Sequence, residues 1–140
     1  MSDAVGTRRE ARERALSLLY EAEAKGSTPA AVLIDQVLVP EAFASDVVAG
    51  VGEHQAEVDG LIRRYAKGWT LERMPVIDRN LLRMAIYELG HRPDVPTGAV
   101  ISEAVELAKR YSTDDSGKFI NGMLSQIAKE LRPAIAPDPA

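Results

Sequence analysis

The sequence predicts an all-α fold. Three observations carry the prediction. Apolar residues recur at 3.6-residue spacing along most of the chain, capping residues precede these runs, and strand-like alternation is almost absent. Thr7 with Glu10 three residues later forms a capping box that opens a first helix over about 8–25. Its apolar stripe is Ala11, Ala15, Leu18, Leu19 and Ala22, and Gly26 ends it. Thr28-Pro29 reads as an N-cap followed by an N1 proline, starting a second helix that stops before Pro40. A third spans about 41–67, with Phe43, Val47, Val51, Val58, Leu61, Ile62 and Tyr65 inward and a kink expected around Gly50, Gly52 or Gly60.

Thr70 caps a short turn, and Pro75 opens a fourth long helix that carries Ile77, Leu81, Met84, Ala85, Tyr87 and Leu89 up to Gly90. Pro93 and Pro96 enforce an extended link. A helix over about 97–111 follows, with Val100, Ile101, Ala104, Leu107, Ala108 and Tyr111 as its stripe. The cluster from Ser112 to Ser116 supplies a loop and an N-cap for a last helix over about 115–131, which buries Phe119 or Ile120 together with Met123, Leu124, Ile127 and Leu131. Residues 8–132 are expected to form one domain, flanked by a flexible N-terminus (1–7) and a flexible proline-rich tail (133–140).

The 140 residues are 46% hydrophobic and 27% charged, the composition of a globular chain with enough core to fold without staples. There are no cysteines, which excludes disulfides, thiol nucleophiles and cysteine-ligated metal, and suits a reducing compartment. No apolar run approaches a membrane span and the N-terminus has no signal-peptide core, so the expected address is the cytoplasm. The net charge of −4 is unevenly spread. Residues 1–14 carry +1, residues 15–60 carry −7 and residues 61–140 carry +2, so a polyanion must be met by a local patch.

Catalytic signals are poor. His54 and His91 lie 37 residues apart, outside any metal-ligating motif, and are expected to be ordinary surface residues. Gly50-Val51-Gly52 lacks the strand and third glycine of a dinucleotide fingerprint, and Ser116-Gly117-Lys118 has only the ending of a phosphate loop. Asp114-Asp115 offers too few oxygens for calcium and reads as helix capping. Neither enzyme activity, metal nor cofactor is expected.

Two features point to nucleic acid. Arg8, Arg9, Arg12 and Arg14 crowd the opening turns of the first helix, where the dipole disfavours cations and an incoming phosphate would find both guanidinium and free N–H groups. Lys118-Phe119 starts the last helix, pairing a cation for phosphate with a ring that either stacks a base or packs in the core.

At these residues the chain resembles the bacterial transcription antitermination factor NusB. The likeness is densest from Val95-Pro96 through Ile101–Lys109, Tyr111, Asp114-Asp115-Ser116 and Lys118–Leu124, with its E-A-V-E-L-A-K and K-F-I-N-G-x-L cores. Arg8-Arg9-x-Ala11-Arg12 with Leu19-Tyr20, and Asp78-Arg79 through Tyr87-Glu88-Leu89, match in order and spacing. It covers roughly residues 8–132, with Glu10, Gly98 and Ser102 departing from the usual pattern.

The resemblance implies two packed helical lobes and no catalytic activity. It implies pairing with NusE, a small-subunit ribosomal protein, and binding of the boxA element in nascent ribosomal RNA leaders. Other Nus factors and RNA polymerase join indirectly. By position, Arg8, Arg9 and Arg12 fall on the family's RNA-facing N-terminus, and Lys118, Phe119 and Asn121 on a second RNA-facing element. Tyr20 and Asp78 correspond to positions that face NusE. The two RNA elements would have to meet across one groove. Contact with about four phosphates gives a salt slope near −3, and one stacked base adds on the order of 1–3 kcal/mol. Family members occur as monomers and homodimers. Two other readings are a helical scaffold that binds only protein, and the accessory domain of a ribosomal RNA cytosine methyltransferase. Against the second, no cofactor-binding α/β segment or catalytic cysteine is present.

Overall fold

The computed structural model describes residues 7–133. The expected flexible segments therefore lie outside the described residues, apart from Thr7 and Pro133. Seven α-helices are present among the described residues: α1 (Arg8–Ala24), α2 (Pro29–Ile34), α3 (Ala42–Glu53), α4 (Gln55–Tyr65), α5 (Val76–His91), α6 (Thr97–Tyr111) and α7 (Asp114–Leu131). A 3-10 turn at Leu71–Arg73 precedes α5. The chain forms two packed helical lobes, α1–α3 and α4–α7, with α5 at the seam touching α1, α3, α4, α6 and α7.

The local signals act largely as the sequence predicts. The Thr7 hydroxyl accepts from the Glu10 amide and the Glu10 carboxylate accepts from the Thr7 amide, completing the capping box of α1. Gly26 takes φ +61° just past the end of that helix, the left-handed conformation that glycine adopts without strain. Thr28 caps α2 and Thr113 caps α7.

Four expectations need correction, the simplest being Tyr111, which the spacing places on the stripe of α6 but which is 48% exposed. The second helix ends at Ile34, well before Pro40, and leaves Ile34, Val37, Leu38 and Val39 exposed. The third predicted helix is two helices, and the break falls at His54, not at a glycine. Gly50 instead permits close packing: a Cβ there would lie 2.1 Å from Tyr87 Cε1, so α3 and α5 approach each other only because the side chain is missing. Thr70 makes no side-chain cap.

The core runs through both lobes, with Leu18, Val47, Ile62, Leu81, Leu82, Ile86, Leu107, Ile120, Leu124 and Ile127 fully buried. Charged pairs cross it. Arg83 holds Asp59 through two hydrogen bonds of 2.8 and 3.1 Å, joining α5 to α4, and Glu23 of α1 accepts from Arg79 and Asn80. Arg132 donates to the carbonyls of Glu88, Leu89, Arg92 and Val95, giving partners to carbonyls at the end of α5 and in the loop beyond it.

Candidate nucleic-acid interface

The first turns of α1 lie against the start of α6 and the loop before it. Between them runs a groove of about 480 Å³, lined by Thr7, Arg8, Arg9, Arg12, Asp94, Val95, Pro96, Ala99 and Glu103. Its three arginines are in different states. Arg8 is exposed, makes no ion pair among the described residues, and lies over the Phe43 ring with its guanidinium carbon 4.1 Å from the centroid. Arg9 is half-exposed and grips Glu103 with hydrogen bonds of 2.9 and 2.7 Å, which raise its own pKa and hold Glu103 below the usual carboxylate range.

Arg12 corrects the sequence expectation. It is 5% exposed, and its guanidinium is bound through two hydrogen bonds of 3.0 and 2.7 Å to the equally buried Glu88 of α5. The stripe that puts Ala11, Ala15 and Leu18 in the core carries Arg12 inward with them. A guanidinium spent on a buried carboxylate is not available to phosphate.

Sequence reasoning places Phe43 in the core but misses its contact with the arginines, and it misses Trp69 of a second groove altogether. Buried in the core, Phe43 presents its ring to Arg8, to Arg12 at 5.1 Å and to Arg92 at 4.8 Å. Arg92 in turn binds Asp46 and Asp94, and its hydrogen bonds hold the exposed Asp94 at a pKa of about 2.

The second element lies elsewhere. Lys118 and Asn121 are exposed on α7, while Phe119 is half-buried and meets Trp69 edge to face at 4.8 Å. With Pro75, Asp78, Ser112, Thr113, Asp115 and Ser116, these two rings line a separate groove of about 320 Å³. Ile120, not Phe119, is the fully buried member of the pair. The expected single groove is therefore two. Arg9 meets α6 at Glu103, whereas Glu13 reaches Arg110 and the Tyr111 hydroxyl at its far end, where α7 begins. Eight residues of α6, about 12 Å of helix, separate the two points.

The pair expected to face a partner also divides. Tyr20 is 48% exposed on α1. Asp78 is 0% exposed; its Oδ2 accepts from the Ser116 hydroxyl at 2.6 Å and its Oδ1 has no partner. The buried Asp78 ties α5 to the N-terminus of α7, so any partner must reach it through the floor of the second groove.

Comparison with known proteins places this architecture. The NusB family model matches residues 9–129. The chain is 47% identical over 134 residues to the transcription antitermination protein NusB of Heliobacterium modesticaldum, covering 91% of this chain and 65% of that one. It is 45% identical over 129 residues to the NusB of Kineococcus radiotolerans, covering 89% and 95%. The structure superposes on T. maritima NusB with a TM-score of 0.82 and 38% identity, covering 91% of this chain and 94% of that one. It superposes on a chain in a crystal structure of the antitermination factors NusB and NusE with dsRNA, with a TM-score of 0.76 and 28% identity, covering 88% and 96%. With nearly all of its helices matched in sequence and in fold, the chain belongs to the NusB family.

Proposed function

We propose that this chain is a non-catalytic RNA adapter in transcription antitermination. Together with NusE it binds the boxA element of nascent ribosomal RNA leaders and links that RNA, through other Nus factors, to RNA polymerase. Family membership supports the antitermination role, and a related chain is seen with NusE and dsRNA. The observation that carries the RNA assignment on this molecule is Arg8, an exposed guanidinium held on the Phe43 ring inside the α1–α6 groove. Its planar fork is suited to phosphate and is already oriented, so little side-chain freedom is lost on binding.

Arg9 contributes at the rim while sharing its charge with Glu103. RNA then follows the α1–α6 face toward α7, where Lys118 and Asn121 meet the backbone and the Phe119–Trp69 pair offers an aromatic edge to an unpaired base. Arg12 and Asp78 hold the site in shape from inside. Tyr20 belongs to the NusE-facing side. With Arg12 withdrawn, three cations remain, and the single-strand salt slope becomes about −2. So few charges on a chain of net charge −4 explain why RNA binding would be shared with a partner. The working site is the cytoplasm, and no helix among the described residues is long and apolar enough to cross a membrane.

The test is Phe119→Ala together with Lys118→Ala, assayed by binding to boxA RNA in the presence of NusE. Weaker RNA binding with an unchanged melting temperature supports the assignment. A large fall in melting temperature without any change in RNA affinity overturns it for α7.

A further inference from the structure

His54 and Glu57, three residues apart, share one patch of surface with His91, 34 residues further along the chain. His54 sits at the joint between α3 and α4, Glu57 on the first turn of α4 and His91 on the last turn of α5. One ligand atom from each lies within 4.8 Å of the other two. His54 Nδ1 is 3.4 Å and His91 Nε2 is 3.7 Å from the same atom, Glu57 Oε1. These separations are long for hydrogen bonds. They are close to the roughly 3.3 Å between two ligand atoms on a tetrahedral ion with bonds of about 2.05 Å.

The two rings are neighbours before any ion enters. The two imidazoles stack at 3.9 Å and 22°, and His91 stacks on Tyr87 at 5.3 Å. The Tyr87 hydroxyl donates to the Asp46 carboxylate, which anchors the stack from below. An imidazole nitrogen binds a metal in its own ring plane, so the two rings must turn out of this stack for both to reach one ion. The end of α5 presents its negative dipole pole to His91, while at His54 the opposed ends of α3 and α4 offset each other. All three side chains reach solvent, leaving room for water at the open position.

We propose that His54, Glu57 and His91 bind one divalent transition-metal ion of the zinc class, with water completing the coordination. Two imidazoles and one carboxylate match the preference of zinc and its neighbours; calcium and magnesium require an all-oxygen set. The ion joins the α3–α4 joint to the end of α5. His91 is followed directly by Arg92, whose guanidinium lies 4.8 Å from the centroid of the Phe43 ring that Arg8 also covers.

The experiment is calorimetric titration of Zn²⁺ into the untagged full chain, alongside Co²⁺ binding followed by visible absorption. The expected result is saturable binding of one ion, a tetrahedral Co²⁺ spectrum, and a melting temperature that rises with metal. His54→Gln and His91→Gln should each weaken binding at least about tenfold, with metal-free melting temperatures near that of the parent. Because ligation needs neutral imidazole, affinity should fall as the solution is acidified. Absence of saturable binding, or binding equally tight in both glutamine variants, overturns the proposal.

Discussion

Arg8 and Arg12 are one helical turn apart and chemically identical, yet the structure gives them opposite tasks. Arg8 lies on the surface over Phe43, and Arg12 neutralises Glu88 inside the protein. Arg8→Ala should leave the melting temperature close to the parent value, weaken RNA binding and make the salt slope shallower by about 0.7. Arg12→Ala should strand the Glu88 carboxylate in the core and cost about 3–5 kcal/mol, read as a shift in urea midpoint. Removing both side chains at once would confuse a folding defect with a lost contact. The arginine cluster itself is legible in the sequence. Its division is not, because Glu88 lies 76 residues away and only the packing of α1 on α5 brings the two together.

The helix boundaries show which local signals are decisive. Caps and prolines place α1, α6 and α7 within a residue or so, because they act on the backbone next to them. The break at His54 is not legible, since Gly50 and Gly52 pack closely against Tyr87 and Pro29, and Gly60 sits inside α4 without breaking it. Gly50→Ala tests this. Helix propensity alone favours alanine by about 1 kcal/mol, but the new Cβ would collide with the Tyr87 ring. A net loss of about 1–3 kcal/mol is expected, and Tyr87→Leu should reduce it in a double-mutant cycle. Tyr87 also gives the α3–α5 contact an alkaline signature. Burial, then its hydrogen bond to Asp46, pushes its pKa up to about 12 from an ordinary 10. A raised pKa in the folded state means a contribution fully present below pH 10 and lost as pH rises toward 12. Denaturation midpoints should therefore fall more steeply over that interval in the parent than in Tyr87→Phe.

The acidic balance of the chain as a whole excludes a general attraction to RNA, and the structure limits the available cations further by pairing most arginines with carboxylates. At the two candidate grooves, Arg8 and Lys118 are the cations without a carboxylate partner among the described residues, a small charge for RNA binding alone. The all-α class and the likeness to NusB were readable because periodicity and motif spacing lie along the chain. The two-groove layout, the meeting of Trp69 with Phe119 and the convergence of His54 with His91 depend on contacts between helices far apart in sequence. The most direct measurement is fluorescence anisotropy of a labelled boxA RNA at two salt concentrations, with and without NusE, against a scrambled RNA. Sequence-dependent binding that NusE strengthens and Arg8→Ala weakens is the expected outcome. Equal affinity for boxA and scrambled RNA, with NusE present, would leave a helical scaffold that shares the family's fold without its RNA function.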